Sequence, residues 1–89
     1  MMKLIVAIVH HNDGEEILQA LTEADFAVTR IASSGGFLRR GNATLLIGLE
    51  AERVAAAVGL IREYGGPAVD PGVKRVTVFV LNVERYDQV

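Results

Sequence analysis

Dense apolar runs alternate with amphipathic stretches along the chain. Lys3 to His10 reads as a strand, with Leu4, Val6 and Ile8 on one side and Ile5, Ala7 and Val9 on the other. Asn12-Asp13-Gly14 breaks this run, and either Asn12 or Asp13 can cap a following helix. Glu15 and Glu16 then suit the positive end of the helix dipole, and Ile17, Leu18, Leu21 and Ala24 fall at helical spacing. Ala27 to Ser33 alternates apolar and polar residues, which predicts a strand at a sheet edge. Thr44 to Leu49 is a strand apolar on both sides. Glu50 to Tyr64 predicts a second helix, with Val54, Val58 and Ile61 on one stripe and Gly65-Gly66-Pro67 as its stop. Arg75 to Val83 is the last strand, and the tail Glu84 to Val89 is polar except for Tyr86.

The order β-α-β-β-α-β predicts an α+β, ferredoxin-like plan: a four-stranded antiparallel sheet with two helices on one face. The whole chain, 1–89, reads as a single domain. The first, third and last strands are apolar on both sides, but helices cover only one of them. Exposed apolar surface costs about 25 cal/mol per Å². The simplest remedy is to pack the uncovered sheets of several copies together, which predicts an obligate homo-oligomer. The composition agrees: 51% of the 89 residues are hydrophobic, a surplus for so small an interior.

With no cysteines, disulfides and cysteine metal clusters are excluded. A formal net charge of −2, with both signs spread along the chain, argues against binding a nucleic-acid polymer. The run Leu4 to Val9 is too short to span a membrane and lacks a small-residue cleavage site, so a cytoplasmic protein without membrane insertion is expected.

The candidate chemistry centres on Ser33 to Asn42. Glycines there allow close backbone approach to a ligand, Phe37 and Leu38 give an apolar surface, and Arg39, Arg40 and Asn42 are polar partners. This mixture suits a small anionic ligand with a flat ring, such as a nucleotide; the plainer reading is a glycine hairpin whose Phe37 plugs a neighbouring core. Arg39-Arg40 reads equally as an anion clamp or a solvated loop tip. His10 and His11 are adjacent and would point to opposite faces, which disfavours joint chelation; an intersubunit metal site would use His10 with Asp13 or Glu15. Helical spacing favours a core role for Tyr64. Glu50, Glu52 and Glu63 show no paired-carboxylate geometry, Ser33 and Ser34 lack a base nearby in sequence, and no P-loop is present.

Specific residues match a known family. They are Lys3-Leu4-Ile5-Val6-Ala7-Ile8-Val9, Phe26 and Thr29, Gly35-Gly36-Phe37-Leu38, Gly41-Asn42, Thr44, Gly48 and Thr77-Val78-Phe79-Val80-Leu81. On these the chain resembles the PII-like signalling proteins, most closely their cyclic-di-AMP receptor branch. The resemblance implies a homotrimer that takes a cyclic dinucleotide in clefts between subunits and signals to a partner protein, whose identity it does not give. It implies binding rather than catalysis, with no catalytic residues, metal or cofactor. Carried over residue by residue, Thr29 would contact the ligand and Gly35 and Gly36 would present backbone groups. Phe37 and Leu38 would line a base pocket, Asn42 would hydrogen-bond base or phosphate, and Gly48 would leave room.

The chain departs from the family pattern in two places. The usual arginine two positions before the threonine is Ala27 here, so Arg30, Arg39 or Arg40 would have to supply the cation. The long glycine-rich loop before the last strand is reduced to Gly65 to Val73, and Lys74-Arg75-Val76 replaces the Gly-Gly-Ala of the family. The alternatives are a metal-binding or ligand-free trimer on the same scaffold and, ranked last for want of an acid–base pair, a small enzyme using an intersubunit cleft.

Overall fold

The computed structural model describes residues 1–31, 42–65 and 76–84, with backbone alone at 11, 12 and 42. Its elements are β1 (Met2–His10), α1 (His11–Glu23), β2 (Ala27–Ile31), β3 (Asn42–Glu50), a 3-10 turn (Ala51–Arg53), α2 (Val54–Tyr64) and β4 (Val76–Asn82). The expected β-α-β-β-α-β order is present. The sheet runs β2-β3-β1-β4, every neighbouring pair antiparallel, in the α+β ferredoxin-like arrangement.

β1 and β3 pair without a bulge along their whole length, from Met2 opposite Glu50 to His10 opposite Asn42. This unbroken register fixes which residues share a face. Ile5, Ala7 and Val9 of β1 lie beside Ile47, Leu45 and Ala43 of β3, and α1 and α2 cover all of them. From α1 the core receives Ile17 and Leu21, and from α2 Ala57 and Ile61, each fully buried. The predicted stripe residues Leu18, Ala24, Val54 and Val58 pack at its margin.

The starts of both helices differ from the sequence expectation, and β3 is longer at both ends than the expected Thr44 to Leu49. α1 begins at His11 rather than beyond Gly14, so Asn12 and Asp13 lie inside the first turn instead of preceding it. Gly14 is buried within this helix, where a Cβ would make ordinary contacts, 3.5 Å from Ala43 Cβ and 3.7 Å from the Arg30 guanidinium. The second helix does not start directly at Glu50. β3 runs through Glu50, and the Ala51 N–H donates to Met1 O at 2.8 Å, so the chain enters α2 through a 3-10 turn.

α1 ends in a Schellman motif that sets the start of β2. Asp25 occupies the left-handed region at φ 66°, Phe26 N–H donates to Leu21 O and Asp25 N–H to Thr22 O. Arg53 locks this corner from α2's side: its guanidinium lies 4.0 Å above the Phe26 ring and donates to the carbonyl oxygens of Ala24 and Asp25. Phe26 is buried, and Ala27 immediately after it opens β2.

Candidate ligand site on the open face of the sheet

The face of the sheet opposite the helices is built by strand alternation. Its rows read Ala27, Thr29, Ile31 on β2; Gly48, Leu46, Thr44 on β3; Leu4, Val6, Ile8 on β1; and Leu81, Phe79, Thr77 on β4. No described helix lies over it. Phe79 is 51% and Leu81 48% exposed, and Leu4, Val6, Ile8 and Leu46 are half-buried. Among the described residues this face carries no lysine or arginine in its register rows.

At one end of this face lies a cavity of ≈ 300 Å³ lined by Met2, Lys3, Leu4, Ala27, Thr29, Leu46, Gly48 and Val83. Three strands converge to form it. Ala27 pairs with Gly48 and Thr29 with Leu46, while Leu4 pairs with Gly48 from the other side. Gly48 is a gap in this floor, since a Cβ placed there meets nothing within 4 Å. Thr29 is exposed, with its hydroxyl-bearing side chain on the same face. The tertiary structure thus brings together Thr29 and Gly48, which are 19 positions apart in sequence. Asn42 takes the register position that continues the Thr44–Leu46–Gly48 row. Gly35, Gly36, Phe37, Leu38, Arg39 and Arg40 lie outside the described residues.

Arg30 is placed elsewhere. It follows Thr29 by one residue, so strand alternation turns it to the helix face opposite Leu45. There its guanidinium donates to Glu15 Oε1 at 2.8 Å. As a stand-in for the cation missing at Ala27, Arg30 is therefore on the wrong side of the sheet from Thr29 and Gly48. Ala27 itself is exposed at the cavity. Lys3 contributes to the lining from a helix-face register position, and its ammonium donates to Asn82 Oδ1.

Tyr64 corrects another expectation. Ala57 and Ile61 fill the buried stripe of α2, leaving Tyr64 exposed at the helix end, where it walls a depression of ≈ 240 Å³ with Glu16, Gln19, Ala20 and Glu23. His10 closes β1 exposed to solvent, and His11 already belongs to α1. Among the described residues no three His, Cys, Asp or Glu side chains gather as a metal site. Of the remaining carboxylates, Glu50 pairs with the N-terminal amine, and Glu52 and Glu63 are exposed. No helix among the described residues is long and apolar enough to cross a membrane.

Sequence reasoning missed Leu4, Leu46, Met2 and Val83 as cavity-lining residues. In sequence they are ordinary members of apolar strands; only the register Leu4–Gly48 and Thr29–Leu46 sets them beside the cavity.

The sequence model of the cyclic-di-AMP receptor family matches residues 2–68. Among solved structures, a functionally unknown protein from Pediococcus pentosaceus ATCC 25745 superposes with a TM-score of 0.82 at 29% identity, covering 99% of this chain and 97% of that one. A DUF3240 family protein from Shewanella baltica OS155 superposes with a TM-score of 0.70 at 15% identity, covering 99% and 96%, a likeness of fold alone. With the family match spanning most of the chain and the fold agreeing along its length, this protein belongs to the cyclic-di-AMP receptor family, a PII-like group of nucleotide-binding signalling proteins.

Proposed function

We propose that this chain is a homotrimeric receptor that binds a small nucleotide, with cyclic-di-AMP as the first candidate, in clefts between subunits and passes the signal to a partner protein. The observation that carries this reading is the convergence of Thr29 and Gly48 in one cavity on an apolar sheet face that no described helix covers. An apolar face of this kind is stabilised by burial against further copies. Burial between copies deepens a shallow cavity into a cleft, the setting in which ligand sites commonly occur.

Each element of the floor has a physical role. Gly48 leaves space for a ring to lie against the backbone of β3. Leu4 and Leu46 offer apolar surface for a base, and the Thr29 hydroxyl can donate to or accept from its edge. Gly35, Gly36, Phe37, Leu38 and Asn42 belong to the same proposal as ligand contacts. Arg39 and Arg40 are the remaining candidates for the anion, since Arg30 is occupied on the helix face. The protein acts by binding, without catalysis, and functions in the cytoplasm.

Isothermal titration calorimetry with cyclic-di-AMP, AMP, ADP and ATP, combined with light scattering for the mass, tests the reading. Saturable binding to a trimer is expected. A monomer at micromolar concentration, or no heat with any of these nucleotides, overturns it.

A further inference from the structure

The cavity on the open face has a one-sided chemistry. Met2, Leu4, Leu46 and Val83 give it apolar walls, Ala27 adds a methyl group, and Gly48 leaves bare backbone with nothing within 4 Å of where a Cβ would stand. Thr29 supplies a hydroxyl from the open-face row of β2. Lys3 and Arg30 adjoin these residues in sequence, but both carry their charge on the helix face of the sheet. Lys3 pairs in register with Leu49 and Asn82, and its ammonium donates to Asn82 Oδ1. Arg30 is bonded to Glu15.

Such walls discriminate between the two halves of a nucleotide. A base is flat and uncharged, so it gains by lying against Leu4 and Leu46 and over the gap at Gly48. The Thr29 hydroxyl both donates and accepts, which suits a ring nitrogen, an amino group or a sugar hydroxyl. A phosphate instead gives up the hydration of a full charge, and only cations or charge-assisted hydrogen bonds offset that loss. The described side chains on this face present none. The size agrees: ≈ 300 Å³ lies at the small end for ligand sites, suited to one base with its sugar rather than to a whole dinucleotide.

We propose that this cavity is a subsite for an uncharged nucleoside, and that it binds adenosine without the help of a phosphate. This rests on the receptor reading above for the identity of the base, and goes beyond it in the class of ligand. Recognition at Thr29 and Gly48 is recognition of base and sugar. Adenosine and cyclic-di-AMP therefore compete for one place, and a phosphate added to adenosine gains little there.

Calorimetry on the intact chain with adenosine, AMP and cyclic-di-AMP, singly and in competition, tests this for the parent, Thr29→Val and Gly48→Val. Adenosine is expected to bind the parent saturably, to compete with cyclic-di-AMP and to match AMP within about tenfold. Thr29→Val should weaken adenosine about tenfold, and Gly48→Val should remove its binding. A parent that binds cyclic-di-AMP but not adenosine overturns the proposal and leaves the receptor reading standing. So does AMP binding more than about tenfold tighter than adenosine, because the phosphate is then a principal contact. Parent-like adenosine affinity in Thr29→Val or Gly48→Val, or adenosine that does not compete, places the nucleoside elsewhere and overturns the proposal too. A parent that binds adenosine but not cyclic-di-AMP supports the nucleoside subsite and removes the dinucleotide from the receptor reading. A parent that binds none of the three overturns both.

Discussion

Ile5, Ala7 and Val9 are fully buried, whereas Leu4, Val6 and Ile8, their neighbours in the same strand, are only partly covered. The two sets are similarly apolar and differ by a single step of strand alternation. On one side α1 and α2 seal the sheet with Ile17, Leu21, Ala57 and Ile61; on the other, Phe79 and Leu81 remain about half exposed. The comparison teaches that hydrophobicity alone does not say what a face is for. The sealed face holds the subunit together. In the proposed function the open face spends the same kind of side chain on recognition, by copies of the chain and by a ligand resting in the gap at Gly48.

If that division is right, substitutions on the two faces should separate cleanly. The largest effect belongs to the sealed face. Ile47→Ala should lose about 2–5 kcal/mol, comparable with the whole stability of a small domain, and urea denaturation should find the chain largely unfolded. Its open-face counterpart is Phe79→Glu, expected to retain the parent's circular dichroism while light scattering records monomers in place of trimers. A Phe79→Glu chain that unfolds, or that keeps the parent's mass, breaks the comparison.

Gly65→Ala probes how closely the sealed face is packed at the end of α2. A Cβ there would sit 2.7 Å from Val76 Cγ2 and 2.9 Å from Ile61 O, so about 1–3 kcal/mol should be lost in chemical denaturation. Gly48→Val is the matched glycine on the open face. With nothing within 4 Å of its Cβ, it should change the free energy of unfolding by less than about 1 kcal/mol, yet abolish cyclic-di-AMP binding in calorimetry. Retained affinity in Gly48→Val would mean that the ligand does not use this gap.

The smallest effect is expected at Arg30. Its partner Glu15 is largely exposed, so Arg30→Gln should cost under about 1 kcal/mol. Because Arg30 faces the helices, nucleotide affinity should be unchanged; a marked loss would place its guanidinium on the ligand after all.

Much of the architecture was legible in the order of residues. Strand period 2 and helix period 3.6 are local, and they marked β1, β3, β4 and both helices to within a few residues. The displaced start of α2 reflects a distant partner, Ala51 bonding to Met1, that is not visible in the local pattern. The surplus of apolar residues on both sides of the strands was likewise readable, since alternation needs no knowledge of the neighbours.

Of the candidate site, the sequence by itself determined which residue types were available: a threonine in an edge strand, a glycine in an apolar one, and an alanine where the family resemblance led to the expectation of an arginine. Only the tertiary structure decided that Thr29 and Gly48 share a cavity, that Leu4 and Leu46 wall it, and that Arg30 turns away to Glu15. The reason is that pairing register is a relation between strands. The β2–β3 and β1–β3 registers decide which residues become neighbours on each face, and no single segment contains that information.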